Sequence, residues 1–412
     1  MALKKAKEQS KFLRSCAVKN TAKQKLWQEL ERELRDLEGR GLYRSLASIS
    51  SADARFVRLS GKTCLNFSSN NYLALTTDPF LLKKIKEALR AWGSGSGASR
   101  LLSGNLEIHA ELERALSSFK GEESALVFSS GYLAGLGAVT ALAKEGDLVL
   151  LDRLDHASLV DAARLSRAKL WVYPHKDVSE LGRLLGRSSG FRRKLVITDA
   201  YFSMDGDVAP LDSLLEVCRA HGAVLMTDEA HSTGVFGKEG SGLTERFGLA
   251  GHVDVVMGTL SKSLGSVGGF IAGKRPLRDY LINRAREFIY TTAPSPLASA
   301  AALAALRLIE RKPGIRKKLW ENVSFLRESL RELGFDSGDS EGPVIPLFLG
   351  ETRRTLELQG FLKKEKIYAP AIRPPTVPKG GDRIRFSVTA GHEREDLEHL
   401  VRVLKKGARR FR

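Results

Sequence analysis

Residues 223–231 read Ala223-Val224-Leu225-Met226-Thr227-Asp228-Glu229-Ala230-His231, and 253–262 read Val253-Asp254-Val255-Val256-Met257-Gly258-Thr259-Leu260-Ser261-Lys262. Each is a short apolar run that ends on a charged group. Runs of this length, rich in branched side chains and bounded by polar residues, are the pattern of a strand buried on both faces. Working outward, the same pattern recurs at Ala125–Ser129, Leu148–Leu151, Leu170–Tyr173, Leu195–Thr198 and Phe270–Ala272. Helical periodicity fills the intervals at Glu107–Phe119, Ala134–Ala143, Ser158–Leu165 and Leu211–Ala220. This alternation predicts an α/β fold with a mostly parallel central sheet flanked by helices. Ligands of such sheets bind beyond the C-terminal ends of the strands, where Asp228 and Lys262 are delivered.

The chain has 412 residues, enough for two or three cores. We expect a basic flexible leader over 1–22, an N-terminal segment over 23–75 that packs with the small domain, a large cofactor-binding domain over 76–310, and a small α+β domain over 311–412. Hydrophobic residues make up 42% and charged residues 28%, a globular balance that excludes general disorder. No apolar stretch reaches the roughly 20 residues of a membrane helix, and no secretory signal opens the chain. Three scattered cysteines, Cys16, Cys64 and Cys218, give neither a disulfide frame nor a zinc site. The net charge of +18 is concentrated at both ends. Without a nucleic-acid module it reads as solubility or as steering of anionic substrates.

The chemistry sits at strand ends. An acid fixed in an apolar crevice, a nearby imidazole and a lysine in a small-residue loop are the groups that pyridoxal 5'-phosphate requires. The acid keeps the pyridine nitrogen protonated, and the lysine carries the cofactor as a Schiff base. Either motif alone reads as well as a helix cap or a solvated charge; the two in this order outweigh that. Ser129-Ser130-Gly131-Tyr132 offers main-chain N–H groups at a helix N-terminus, a seat for phosphate. His156, at another helix start, is placed to stack on a planar ring. Ser203 can donate to a phenolate oxygen. Asp205 and Asp207 read as turn formers around Gly206 and make no metal site. Arg373, followed by Pro374-Pro375, is an arginine presented for bidentate capture of a carboxylate.

Together these segments resemble the α-oxoamine synthases, pyridoxal-phosphate enzymes of fold type I. The resemblance runs from about Gly41 to the C-terminus. It is carried by Asn66–Leu73, Gly95–Leu101, Asp155–Leu159, Phe202–Asp207, Asp228–Gly234 and, most specific to a subtype, Ala371–Pro378. It implies that Lys262 is the Schiff-base lysine, Asp228 the partner of the ring nitrogen and His156 the stacking group. It further implies Ser203 and His231 near the phenolic oxygen, with Gly131, Tyr132 and Thr259 around the phosphate. Thr292, beside Thr291, resembles a segment that reaches the phosphate from the neighbouring subunit of a homodimer. Arg44, Asn70, Arg373 and Thr376 fall at substrate-side positions, with Arg373 assigned to the amino-acid carboxylate. The implied reaction condenses L-alanine with pimeloyl-CoA or a pimeloyl-acyl carrier protein in the cytoplasm, without membrane or nucleic acid. Alternatives are glycine with a short acyl-CoA, or a non-catalytic regulator that binds the cofactor. Asn71, Ala74 and Glu229 depart from the usual residues without removing a group the chemistry needs.

Overall fold

The computed structural model describes residues 23–411; the basic leader expected over 1–22, with Cys16, lies outside the described residues. Three strands near the N-terminus, β1 (Ile49–Ala52), β2 (Phe56–Leu59) and β3 (Lys62–Asn66), form an antiparallel ribbon that turns at Ser60-Gly61. The central strands are β4 (Ser124–Phe128), β5 (Leu148–Asp152), β6 (Lys169–Tyr173), β7 (Lys194–Asp199), β8 (Val224–Asp228), β9 (Val255–Thr259) and β10 (Gly269–Gly273). They make one seven-stranded sheet in the order β4-β10-β9-β8-β7-β5-β6, in which only β10 runs against its neighbours. Near the C-terminus, β11 (Val344–Phe348), β14 (Arg383–Ser387) and β13 (Ala371–Ile372) pair antiparallel, while β12 (Ile367–Tyr368) joins β3 in parallel. The N-terminal ribbon is thus completed by a strand from the last hundred residues.

Successive residues of the central strands face opposite sides, and in all but the edge strand β6 both sides are buried. Val127, Leu150, Val196, Leu225 and Val256 enter one core; Leu126, Leu151, Ile197, Met226 and Met257 enter the other. This period of two, with both faces apolar, explains why the strands read as continuous hydrophobic runs. The mostly parallel sheet under helices matches the expected fold. The helices Pro79–Trp92, Val178–Gly186 and Arg275–Arg284 were not among those expected. Residues 23–39 form a helix on which Leu26, Trp27, Leu30, Leu34 and Leu37, recurring at helical spacing, are exposed. Among the described residues no helix is long and apolar enough to cross a membrane. Cys64 and Cys218 are buried free thiols.

One buried ion pair holds the sheet edge that carries the chemistry. Lys120, at the end of the helix Glu107–Lys120, donates to Glu229 Oε2 and to the Ser241 carbonyl, while Glu229 Oε1 accepts from the Thr244 N–H at 2.6 Å. Neither side chain is exposed. Lys120→Met leaves the Glu229 carboxylate buried without a cation, and such a deletion costs about 3–5 kcal/mol. Urea unfolding of Lys120→Met should show a loss of that size, partly recovered by adding Glu229→Gln.

Candidate active site

Strands β5, β7 and β8 end on Asp152, Asp199 and Asp228, and β9 ends on Thr259, three residues before Lys262. Main-chain bonds tie these ends together: Ala200 N–H donates to Asp228 O at 2.9 Å, and Glu229 N–H to Met257 O at 2.8 Å. Above them lies a cavity of about 280 Å³, lined by residues that include Gly131, Tyr132, His156, Asp228, His231, Thr259 and Lys262. All seven were expected at one site, and the fold brings them to it. A larger cleft of about 480 Å³, near Phe56 and His399, gathers none of these groups.

At one end of the cavity the helix Gly131–Leu142 begins. Ser130 Oγ caps it by accepting from Leu133 N–H at 3.2 Å, so the first amides stay open to an anion. A Cβ at Gly131 would lie 3.3 Å from Thr259 Oγ1 and fill the space a phosphate needs; at Gly269 it would lie 2.5 Å from Gly131 Cα. Thr259 and Ser261 hydroxyls stand 2.8 Å apart in the same lining. Tyr132 is 43% exposed and donates to Asp161 at 2.7 Å, which makes it a wall of the mouth rather than core.

At the other end is Asp228, only 6% exposed, which accepts from Ala230 N–H at 2.8 Å on Oδ1. Among the described residues its Oδ2 has no hydrogen-bond partner. Burial raises its pKa and the Lys262 charge pulls it back. Burial drives Lys262 down to about 8, against the opposing pull of Asp228. His156 caps the helix Ala157–Leu165: its Nδ1 accepts from Ser158 N–H at 3.3 Å and lies 2.8 Å from Ser158 Oγ. The neutral ring therefore carries its hydrogen on Nε2, and burial favours that neutral form. Burial, with Lys262 and Arg385 nearby, also holds His231 neutral; its Nδ1 is 2.7 Å from the Tyr72 hydroxyl.

The remaining expected residues do not line this cavity. Ser203 is buried, its carbonyl accepting from Arg385 Nε at 2.6 Å. Thr292 borders the phosphate end through its carbonyl, which accepts from Ser129 Oγ at 3.3 Å. Arg44 and Thr376 meet, Nη2 to Oγ1, at 2.8 Å, and beside them Arg373 donates to the Tyr43 carbonyl at 2.8 Å. Asp205 and Asp207 do more than shape a turn: Asp205 pairs with Arg383, and Asp207 with His175 and Lys176. His175, held between Asp152 and Asp207, is raised to about 9 by those bonds, which overcome its burial.

Two groups were missed. Asp199 lines the cavity beside Asp228. Arg385, 5% exposed on β14, reaches Ser203 O, Ser387 Oγ and Asn70 Oδ1, and no carboxylate of the described residues pairs with it. A buried guanidinium without an anion, close enough to Lys262 and His231 to lower both, is where a carboxylate ligand is favoured. The one sequence signal was the alternation Arg383-Ile384-Arg385, which turns both arginines to one face of a strand.

The cavity fits pyridoxal phosphate on its own features: open amides and hydroxyls for the phosphate at one end, a free carboxylate oxygen at the other, and a half-buried lysine between neutral imidazoles. Comparison with known proteins agrees. The family described as aminotransferase class I and II matches residues 62–404. An 8-amino-7-oxononanoate synthase of Lysinibacillus sphaericus is 44% identical over 375 residues, covering 91% of this chain and 96% of that protein. Among solved structures, a serine palmitoyltransferase of S. paucimobilis with bound PLP-myriocin aldimine superposes with a TM-score of 0.87 at 32% identity, over 92% of this chain and 97% of that one. An 8-amino-7-oxononanoate synthase of Francisella tularensis gives a TM-score of 0.74 at 27% identity, over 84% and 98%.

Proposed function

The chain belongs to the aminotransferase class I and II family and uses pyridoxal phosphate, and on that footing we propose that it catalyses one step of biotin biosynthesis. In that step L-alanine condenses with a pimeloyl thioester to give 8-amino-7-oxononanoate, CO2 and the free thiol. The observation that carries this reading is the single cavity shared by Lys262, Asp228 and His156, in a chain so close to a named synthase over nearly its whole length.

Bound pyridoxal phosphate supplies an aldehyde for covalent attachment of an amine and a ring that withdraws electrons from that amine's α-carbon. Gly131, Tyr132 and Thr259 would hold its phosphate, Asp228 its ring nitrogen, His231 the side of its phenolic oxygen, and His156 its face. Lys262, unlinked once alanine enters, has the depressed basicity to take the Cα proton at neutral pH. The α-carbon attacks the thioester carbonyl and expels the thiolate. The His156 Nε2–H donates to that carbonyl oxygen as charge builds on it. The β-keto acid then loses alanine's carboxylate as CO2, and Lys262 returns the proton to the α-carbon.

For alanine's carboxylate we assign Arg385 in place of Arg373, because Arg385 is buried at the site without an anion while Arg373 is engaged by the main chain of the N-terminal segment. Arg373, with Arg44 and Thr376, suits the acyl substrate, whose chain ends in its own carboxylate. Arg385→Lys keeps charge but loses the planar fork, and should raise the KM for alanine on the order of 10–100-fold. Arg373→Ala should leave that KM alone and raise the KM for the thioester. Steady-state kinetics with each substrate varied separate the two roles.

The reading is tested by giving purified protein and pyridoxal phosphate either L-alanine, L-serine or glycine, with pimeloyl-, palmitoyl- or acetyl-CoA. Alanine with pimeloyl-CoA should give 8-amino-7-oxononanoate by mass spectrometry. Serine and palmitoyl-CoA are included because serine palmitoyltransferases are close structural neighbours. Turnover of another pair alone would replace this reading. The enzyme is expected to act as a cytoplasmic homodimer.

A further inference from the structure

Asp228, Asp199 and Asp152 stand side by side at the ends of β8, β7 and β5, and Asp155 follows in the turn before His156. The outer two have cations at hand: Lys262 shares the cavity with Asp228, and His175 bonds Asp152 at 2.9 Å. The inner two do not. Among the described residues, neither Asp155 nor Asp199 pairs with a lysine, arginine or histidine side chain. Their partners are main-chain amides. Asp155 Oδ1 accepts from Asp199 N–H at 2.8 Å and its Oδ2 from Asp152 N–H at 2.9 Å, which bridges the ends of β7 and β5. Asp199 Oδ1 then accepts from His156 N–H at 3.3 Å. The helix start that carries the imidazole is therefore held by a carboxyl group that also walls the cavity next to Asp228.

We propose that Asp199, braced from behind by Asp155, is a positioning residue that sets where His156 stands relative to Asp228, and so how the cofactor ring is gripped between them. The geometry supports this, since one side chain touches the His156 backbone while its own strand pairs in register with that of Asp228. Charge supports it too. A buried acid without a counter-ion favours its neutral form. Burial, and after it the neighbouring carboxylates, hold both Asp199 and Asp155 well above the usual carboxylate range. A neutral Asp199 can stand beside Asp228 without competing with it for the ring's proton.

The proposal rests on the family's cofactor and not on the choice of acyl substrate. Its test is the equilibrium affinity of the protein for pyridoxal phosphate, read by absorbance and fluorescence without substrate, together with kcat. Asp199→Asn keeps shape and an oxygen for the His156 amide, so affinity should stay within about threefold, whereas Asp199→Ala should lower affinity and kcat by about 10–100-fold, the usual effect of losing an orienting partner. In a His156→Ala background Asp199→Ala should cost less than about twofold, because the group through which it acts is gone. Asp199→Ser, too short to reach the amide, replaces the alanine variant if melting curves show that it does not fold. Equal losses with and without His156, or an asparagine variant as poor as the alanine one, overturn the proposal. A different acyl substrate would leave the affinity measurements untouched.

Discussion

Lys262→Ala is expected to fold, to bind pyridoxal phosphate without a covalent link, and to lose turnover by on the order of 10⁴–10⁶-fold, as removal of a nucleophile does elsewhere. Two roles vanish with one amine: the attachment point and the base for the Cα proton. The phosphate end of the cavity does not depend on it, so the cofactor should still associate but show the spectrum of the free aldehyde. The depressed basicity adds a signature. Only the neutral amine attacks an aldehyde, and Lys262 loses its proton at about 8. Below that pH the amine is protonated and loading is slow; above it the amine is neutral. The rate at which the stripped protein acquires covalent absorbance should therefore climb with pH and level off above about 8, instead of climbing towards the ordinary lysine value near 10.4. A Lys262→Ala protein of undiminished activity would falsify the assignment.

The strands that build this site were legible because a buried parallel strand has no polar face to hide. Leu225, Met226, Val255 and Val256 all meet apolar cores, so their runs end only where the sheet ends, and the acid or lysine that follows is placed by that ending. The helix start that opens onto the cavity was legible too, since Ser130 and Gly131 follow directly on β4. What escaped depends on contacts between distant segments. Nothing near Ile367 announces pairing with Leu65, three hundred residues earlier. Arg373, framed by prolines, looked better presented than Arg385; only burial against Ser203, Asn70 and Ser387 distinguishes the second. Asp155 and Asp199 carried no separate signal because their partners are main-chain amides, those of Asp199 and Asp152 for Asp155 and that of His156 for Asp199, and the bridge between Asp155 and Asp199 exists only once β5 and β7 lie adjacent.

Asp228→Asn should preserve the architecture and lower kcat by about 10²–10³-fold, the scale on which loss of one preorganised electrostatic contact is felt. The substitution is nearly isosteric, and its carbonyl can still accept the Ala230 amide that Oδ1 accepts now. The change falls on the other atom. Where Oδ2 offers an acceptor and a negative charge, asparagine offers an N–H donor, which matches an unprotonated ring nitrogen and opposes a protonated one. An unprotonated ring draws electrons weakly, so the Cα proton of alanine becomes harder for Lys262 to remove. Burial makes the contrast sharp, because Asp228 is 6% exposed and solvent cannot supply the missing charge. The loss belongs to the transition state rather than to substrate affinity, so kcat should fall while the KM for alanine, governed by Arg385, holds. Covalent loading on Lys262 should also survive, which separates this variant from Lys262→Ala by absorbance alone. Were Asp228→Asn to turn over at the unaltered rate, the carboxylate would have no part in protonating the ring.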